Sequence, residues 1–238
     1  LTEKEKKDVG HLYAMNGYMY ATSFMHRDNR QLLKARAILE EIMPYADGKV
    51  REYALPKIPL LWYFEAAEYH LSQKYDKALA CYENALNGFM ELGKTDEEIS
   101  VWQHIAETKG ALYDVAGSEE AYKKALSLSR QTGKSDAQME ILKELWNIGN
   151  TIGNVQQVQT YAASIDSLVD ATSDLQTKYN YYNQKGNEAK GLGQYGIAEQ
   201  WYLRGKNIAE RADAKNISAN NKAFACNVTT RPFLHIRK

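Results

Sequence analysis

Residues 88–95 read GFMELGKT, which fits G-x-x-x-x-G-K-[ST], the pattern of a loop that cradles nucleotide phosphates. That chemistry needs a strand feeding the first glycine and a helix starting at the Lys-Thr pair, so that backbone N–H groups and the lysine converge on the phosphates. The other residues able to do chemistry are sparse. Five histidines (His11, His26, His70, His104, His235) show neither H-E-x-x-H nor another metal-ligand spacing. Cys81 and Cys226 stand too far apart in sequence to suggest a metal site or a disulfide framework, and Cys81 reads as a packed helix residue. The acidic pairs Glu40-Glu41, Glu97-Glu98 and Glu119-Glu120 read as solvated helix faces or dipole-favouring first turns. No Ser/His/Asp or Cys/His arrangement follows from spacing. The expectation is therefore a protein that is not an enzyme, with no cofactor and no metal.

The elements around GFMELGKT decide what it is. The chain repeats at an offset of 40: GKTD at 93–96 returns as GKSD at 133–136. In the same register Trp62 pairs with Trp102, Tyr82 with Tyr122 and Ala85 with Ala125, and Ile152-Gly153-Asn154-Val155 with Leu192-Gly193-Gln194-Tyr195. Within a period, apolar residues fall at three- and four-residue steps, as in Trp62, Ala66, Tyr69, then Tyr75, Ala78, Tyr82 and Ala85, broken at Ser72-Gln73-Lys74. That spacing predicts two amphipathic helices joined by a tight turn. Pro44, Pro56 and Pro59 cluster near the first junction, and strand signals are nearly absent before the last dozen residues. The fold class is all-α.

In this frame Gly88 to Leu92 ends a helix, and Gly93 is the residue just past it. Thr95 is then expected to N-cap the next helix, with Glu98 completing a capping box. A helix precedes the glycine-rich stretch where a strand is required, and the copy at Gly133-Lys134-Ser135 has Leu128 in place of the first glycine. GFMELGKT reads as a helix stop.

Composition sets the outer limits. Apolar residues make up 44% of 238 residues, enough for a sizeable core, and 30 basic side chains balance 30 acidic ones. A neutral chain gives no electrostatic footprint for nucleic acid. No apolar run approaches the roughly 18 to 20 residues that cross a bilayer, so direct membrane insertion is not expected. The charged start LTEKEKKD has no signal-peptide core and no Met, which reads as a processed or excised piece and leaves cytoplasm and periplasm open.

These residues resemble the tetratricopeptide repeat, a helix–turn–helix unit. Trp62 to Ala85 match its signature, as do Trp102, Ala106, Leu112, Tyr122 and Ala125, with Ser118 where Ala is usual. A looser copy runs through Leu142, Gly149, Ile152, Gly153, Val155, Val158 and Ala162; a clear one follows in Tyr182, Gly186, Ala189, Leu192, Gly193, Tyr195, Ala198 and Tyr202. Leu32, Ala35, Ile38 and Ile42 fit an N-terminal unit by register. The resemblance implies a right-handed α-α superhelix, a solenoid over 1–212. Its five units are expected at about 8–50, 56–92, 95–132, 135–170 and 173–212, with 213–238 as an irregular tail or degenerate cap. Units of 40 rather than the usual 34 residues resemble those of bacterial signalling regulators.

The resemblance also implies a concave groove lined by first helices. Carried over unit by unit, it gives Tyr63 and Ala67, Gln103 and Glu107, Lys143 and Asn147, and Asn183 and Asn187. Tyr20, Arg27, Arg30, His70, Glu140, Asn150, Asn180 and Lys190 would rim it. Such polar side chains suit an extended peptide backbone or a carboxylate, and the Lys143/Asn147 pair is similar to part of the clamp that holds chaperone C-termini in some of these domains. The implied function is a non-catalytic protein- or peptide-binding module, a sensory or scaffolding part of a bacterial signalling protein. The rival is a structural assembly solenoid, a homo-oligomer whose groove stays empty. In the tail, Pro232 and Val228-Thr229-Thr230 oppose a sixth long helix, and the sequons at Asn216 and Asn227 carry no weight by themselves.

Overall fold

A computed structural model describes residues 2–25 and 31–214, with side chains through Arg211. The helices among them are α1 (Glu3–Asp8), α2 (Gly10–Ser23), α3 (Leu32–Ile42), α4 (Gly48–Ala54), α5 (Lys57–Leu71), α6 (Tyr75–Glu91), α7 (Thr95–Ala111), α8 (Val115–Gln131), α9 (Ser135–Thr151), α10 (Val155–Ala171), α11 (Leu175–Gly191) and α12 (Tyr195–Ala214). No strand occurs among the described residues. The helices gather into two compact units, Leu1–Tyr161 and Ala162–Lys238.

One turn, used repeatedly, makes the pattern. From α6 onward the helices through α11 are each 17 residues long, and three residues join one to the next. The middle joint residue is left-handed at Gln73, Gly93, Tyr113, Gly133, Gly153 and Gly193, with φ of 59, 62, 63, 67, 72 and 73°. Its N–H returns to the carbonyl three residues back, and the next N–H to the carbonyl five back: Gly93 N to Met90 O at 3.1 Å, Lys94 N to Phe89 O at 2.9 Å. The same pair recurs at all six joints, the double closure of a helix end by a left-handed residue. The 40-residue period is thus two steps of 20.

This turn corrects one expectation. Thr95 does not N-cap α7; Lys94 holds that position, without a side-chain cap, and Thr95 is the first helical residue. The N-cap position is held by a lysine, whose side chain has no acceptor for the first-turn N–H groups, and Thr95 stands one residue too far inside the helix to form a capping box with Glu98. Elsewhere Asp114 caps α8 through the N–H of Gly117 at 2.9 Å, and Asp174 caps α11 through Gln176 and Thr177.

In the first unit α2 pairs with α3, α5 with α6 and α7 with α8, and α3, α6 and α8 each also pack on the next first helix, α5, α7 and α9. Alanines permit this: Ala66, Ala78, Ala85, Ala106 and Ala125 are fully buried, with Leu61, Tyr82, Val101, Leu142 and Leu145 filling the space between backbones. Gly88 faces the Pro59 ring so closely that an added Cβ would lie 2.8 Å from it, which is why α5 and α6 approach there. The short α4 fills the first junction, and Pro59 sits in the first turn of α5, where its missing N–H costs little.

α3 and α5 are tied by charge. Arg36 donates from Nε to Glu65 Oε1 at 2.9 Å and from Nη2 to Oε2 at 3.3 Å, lies 3.4 Å from the Trp62 ring centroid, and reaches Glu40 at 2.9 Å. Glu65 is only 3% exposed. The Glu40-Glu41 pair is therefore more than a solvated face: Glu40 also accepts from Trp62 Nε1, and Glu41 from Lys6 and Tyr13. In the second unit α11 packs on α12, and Tyr181 and Tyr182 donate to Asp166 and Asp170. Burial, then the bond to Asp170, pushes the Tyr182 hydroxyl up to about 12.

Arg27, Arg30 and His26 lie outside the described residues, as do Cys226, Asn216, Asn227, Pro232 and the tail from 215 on.

Candidate functional site

In the first unit, α5, α7 and α9 lie side by side, and their shared face holds most of the residues the resemblance singles out. Tyr63 on α5 donates to His104 Nε2 on α7 at 2.7 Å. The opposite ring nitrogen, Nδ1, stands 3.0 Å from Glu107 Oε2. Burial, then the nearby Glu107 charge, raises the Tyr63 pKa, so the phenol keeps its proton. The Glu107 carboxylate can only accept, so Nδ1 carries a proton aimed at it, and in the neutral imidazole Nε2 is left to accept from Tyr63. The bond from His104 in turn lowers the Glu107 pKa. The His104 ring stacks on Tyr82 with 9° between planes and centroids 5.8 Å apart.

A second tie lies one turn along: His70 Nδ1 meets Thr108 Oγ1 at 2.9 Å, and Thr108 donates to the His104 carbonyl. Tyr63, His70 and Glu107 are thus brought together, through His104 and Thr108, neither of which was among the expected lining residues. The usable signal was that His70 and His104 both fall on first helices; which way His104 turns was not legible.

The chain Tyr63–His104–Glu107 resembles a proton relay in connectivity, yet its chemistry is that of a strut. The phenol at one end is pushed toward the protonated form, and burial likewise pushes the Cys81 thiol up. Neither group is turned into a nucleophile at neutral pH.

Between α7 and α9 a cleft of about 550 Å³ opens on the same face. Its α7 wall is Asp96, Ile99, Ser100 and Gln103; its α9 wall is Ser135, Asp136, Ala137 and Glu140, with Gly133 and Lys134 at the end. Lys134 spans to Asp96 at 2.8 Å and closes that end. Gln103 and Glu140, expected as lining and rim, are both in the walls. Lys143, Asn147 and Asn150 are exposed farther along α9, where Asn147 Nδ2 donates to Glu144 at 3.5 Å and Asn150 to the Trp146 carbonyl.

In the second unit Asn187 and Lys190 are exposed and Asn183 half-buried; Tyr202 donates to Asn187 at 2.7 Å. Asn183 hydrogen-bonds Tyr179 and lies against Gly205, 3.3 Å from where its Cβ would stand. Tyr20 is exposed on α2, and Asn180 accepts from Gln176 on α11.

GFMELGKT is resolved by the same geometry: Gly88 lies within α6 and Gly93 at its left-handed end, with no strand before either. Among the described residues, no group of three or more His, Cys, Asp or Glu is placed to hold a metal ion, and no helix is long and apolar enough to cross a membrane.

No family model and no curated protein matches the chain. Solved structures do. The chain is similar to aspartyl phosphate phosphatase F from Bacillus subtilis, with a TM-score of 0.52 and 9% identity over 91% of this chain and 60% of that one. It is also similar to BtubC from P. vanneervenii (0.48, 18% identity, 92% and 95% covered) and to the Rap conjugation regulator of plasmid pLS20, solved with the Phr* peptide (0.44, 14% identity, 91% and 59% covered). The chain spans 60% of the phosphatase, and at this identity the likeness concerns fold alone. With the 40-residue register and its repeated turn, that fold is an all-α helix-pair repeat of the tetratricopeptide type.

Proposed function

We propose that this chain is a non-catalytic binding module whose α5–α7–α9 face holds an extended segment of another protein. The observation that carries the proposal is the cleft between α7 and α9, open along the first-helix face that also carries the Tyr63–His104–Glu107 and His70–Thr108 hydrogen bonds. Tyr63 and Glu107 are each held by His104, and His70 by Thr108, so this part of the face is preformed and little ordering entropy is lost there on binding. Gln103, Lys143, Asn147 and Asn150 project donors and acceptors suited to peptide backbone. In the second unit Asn183, Asn187 and Lys190 are assigned the same kind of contact on their own helix face. The setting we assign is the sensory or scaffolding part of a bacterial signalling protein; the 40-residue units support it.

Display of random twelve-residue peptides against the full chain tests this. The expected result is a set of peptides whose binding drops at least fivefold in the combined variant Gln103→Ala, Asn147→Ala. No selected peptide, or peptides indifferent to the variant, would overturn the assignment.

One observation favours assembly as the rival. α2 contains no Lys, Arg, Asp or Glu, and it exposes Leu12, Met15 and Met19 at helical spacing opposite its buried Ala14 and Ala21. A helix apolar on two faces is suited to being covered on both. Light scattering decides: a mass that doubles with concentration, and returns to monomer in Met15→Glu, supports assembly.

A further inference from the structure

We infer that the segment held on the α5–α7–α9 face is basic, with a Lys or Arg side chain inserted in the α7–α9 cleft; the inference rests on the binding role proposed above. The chain is neutral as a whole, but its charges are sorted by helix. α5, α7 and α9 carry two, four and three carboxylates, against one basic side chain each. On the other layer α6 carries Asp76, Glu83 and Glu91 against Lys77, and α8 carries Glu119 and Glu120 against Lys123, Lys124 and Arg130. Among these five helices the larger excess of negative charge therefore sits on α5, α7 and α9, and the net neutrality of the chain hides it.

Inside the cleft the charges differ in what they already do. Asp96 is matched by Lys134 at 2.8 Å. Asp136 and Glu140, one helical turn apart on the α9 wall, have no ion-pair partner among the described residues. Ile99 and Ala137 supply an apolar stretch in the same walls, and Gln103 offers an amide donor and acceptor at the other side. A lysine or arginine fits this order of surfaces: its methylene stem lies on Ile99 and Ala137, and its cationic head reaches Asp136 and Glu140. Gln103 is left to meet the backbone of the same segment. An acidic segment would bring its charge against unmatched carboxylates, and a nucleic acid would do so with every phosphate. The partial likeness of Lys143/Asn147 to a carboxylate clamp is answered locally too, because Asn147 already donates to Glu144.

The peptides selected by display on the full chain provide the test. They are expected to be enriched in Lys and Arg, to bind more weakly as salt rises, and to lose about two- to fivefold in affinity for each of Asp136→Asn and Glu140→Gln. Glu83→Gln, exposed on α6, serves as the control and is expected to change nothing. Selected peptides that lack basic residues, yet still depend on Gln103 and Asn147, would overturn this inference and leave the binding role standing. If no peptide depends on that face, the binding role falls and this inference falls with it.

Discussion

Removing the Arg36 guanidinium should cost more than any single contact on the surface of the first unit. Glu65 is 3% exposed and receives both of its close hydrogen bonds from Arg36, at 2.9 and 3.3 Å. In Arg36→Met the stem still covers Trp62, but Glu65 is left buried and unpaired. Breaking such a pair from one side costs roughly 3 to 5 kcal/mol. The lower end applies here, because Arg36 keeps a partly solvated edge shared with Glu40, so about 3 kcal/mol is expected; the lost contact with Trp62 adds about 0.5 to 1 kcal/mol. The double variant Arg36→Met, Glu65→Leu removes both charges and keeps the volume, and should return to within about 1 kcal/mol of the parent. Urea unfolding followed by far-UV circular dichroism at pH 7, applied to the parent, Arg36→Met, Glu65→Leu and the double variant, closes the cycle. A coupling above about 2 kcal/mol supports the account. If the single variant is no worse than the double, Glu65 does not depend on Arg36, and the α3–α5 tie has been misjudged.

Other expectations follow from the turns and the hydrogen-bonded face. Gly93→Ala, forced to φ +62°, should lose about 1 kcal/mol, whereas Tyr113→Gly, at φ +63° and 90% exposed, should lose nothing and gain up to about 0.5 kcal/mol in the same urea assay. Gly88→Ala gains helix propensity but meets Pro59 at 2.8 Å, for a net loss of about 1 to 2 kcal/mol; millimolar Mg-ATP should leave the melting midpoint of the parent unmoved, whereas a phosphate-binding loop would raise it. Because the bond from His104 lowers the Glu107 pKa in the folded chain, its stabilising contribution is complete above the ordinary glutamate range and is lost as pH falls through the lowered value. The stability gap between parent and Glu107→Gln should therefore be steady at neutral pH and close in acid; a gap that widens in acid would contradict the assignment.

The fold was legible because the repeat is carried by residues with a backbone reason to recur. Gly93, Gly133 and Gly193 occupy left-handed helix ends, and Ala66, Ala106, Ala85 and Ala125 sit where backbones meet. The 20-residue half-step stayed hidden because Gln73 and Tyr113 take the same left-handed conformation without being glycine. The Thr95 capping box misled because the three-residue joint puts the N-cap at its third residue, where α7 has Lys94 and α8 has Asp114; the Ser/Thr-x-x-Glu signal lies one residue out of that register. The site was legible only in outline. Spacing placed Gln103 on the face that carries the cleft, but the link from Tyr63 through His104 to Glu107 depends on helix rotation and on the distance between α5 and α7, neither of which a single helix's pattern contains. The charge sorting was in plain view, yet meaningless until α5, α7 and α9 were known to be neighbours.

The most direct measurement is photo-crosslinking from a benzophenone side chain placed at Gln103, in the cleft wall, or at Glu83, exposed on α6, using a selected peptide as the partner. Cross-links from position 103 that unlabelled peptide suppresses, with none from position 83, are what a first-helix binding face predicts. Cross-links confined to position 83 would place the partner on the opposite layer and contradict it.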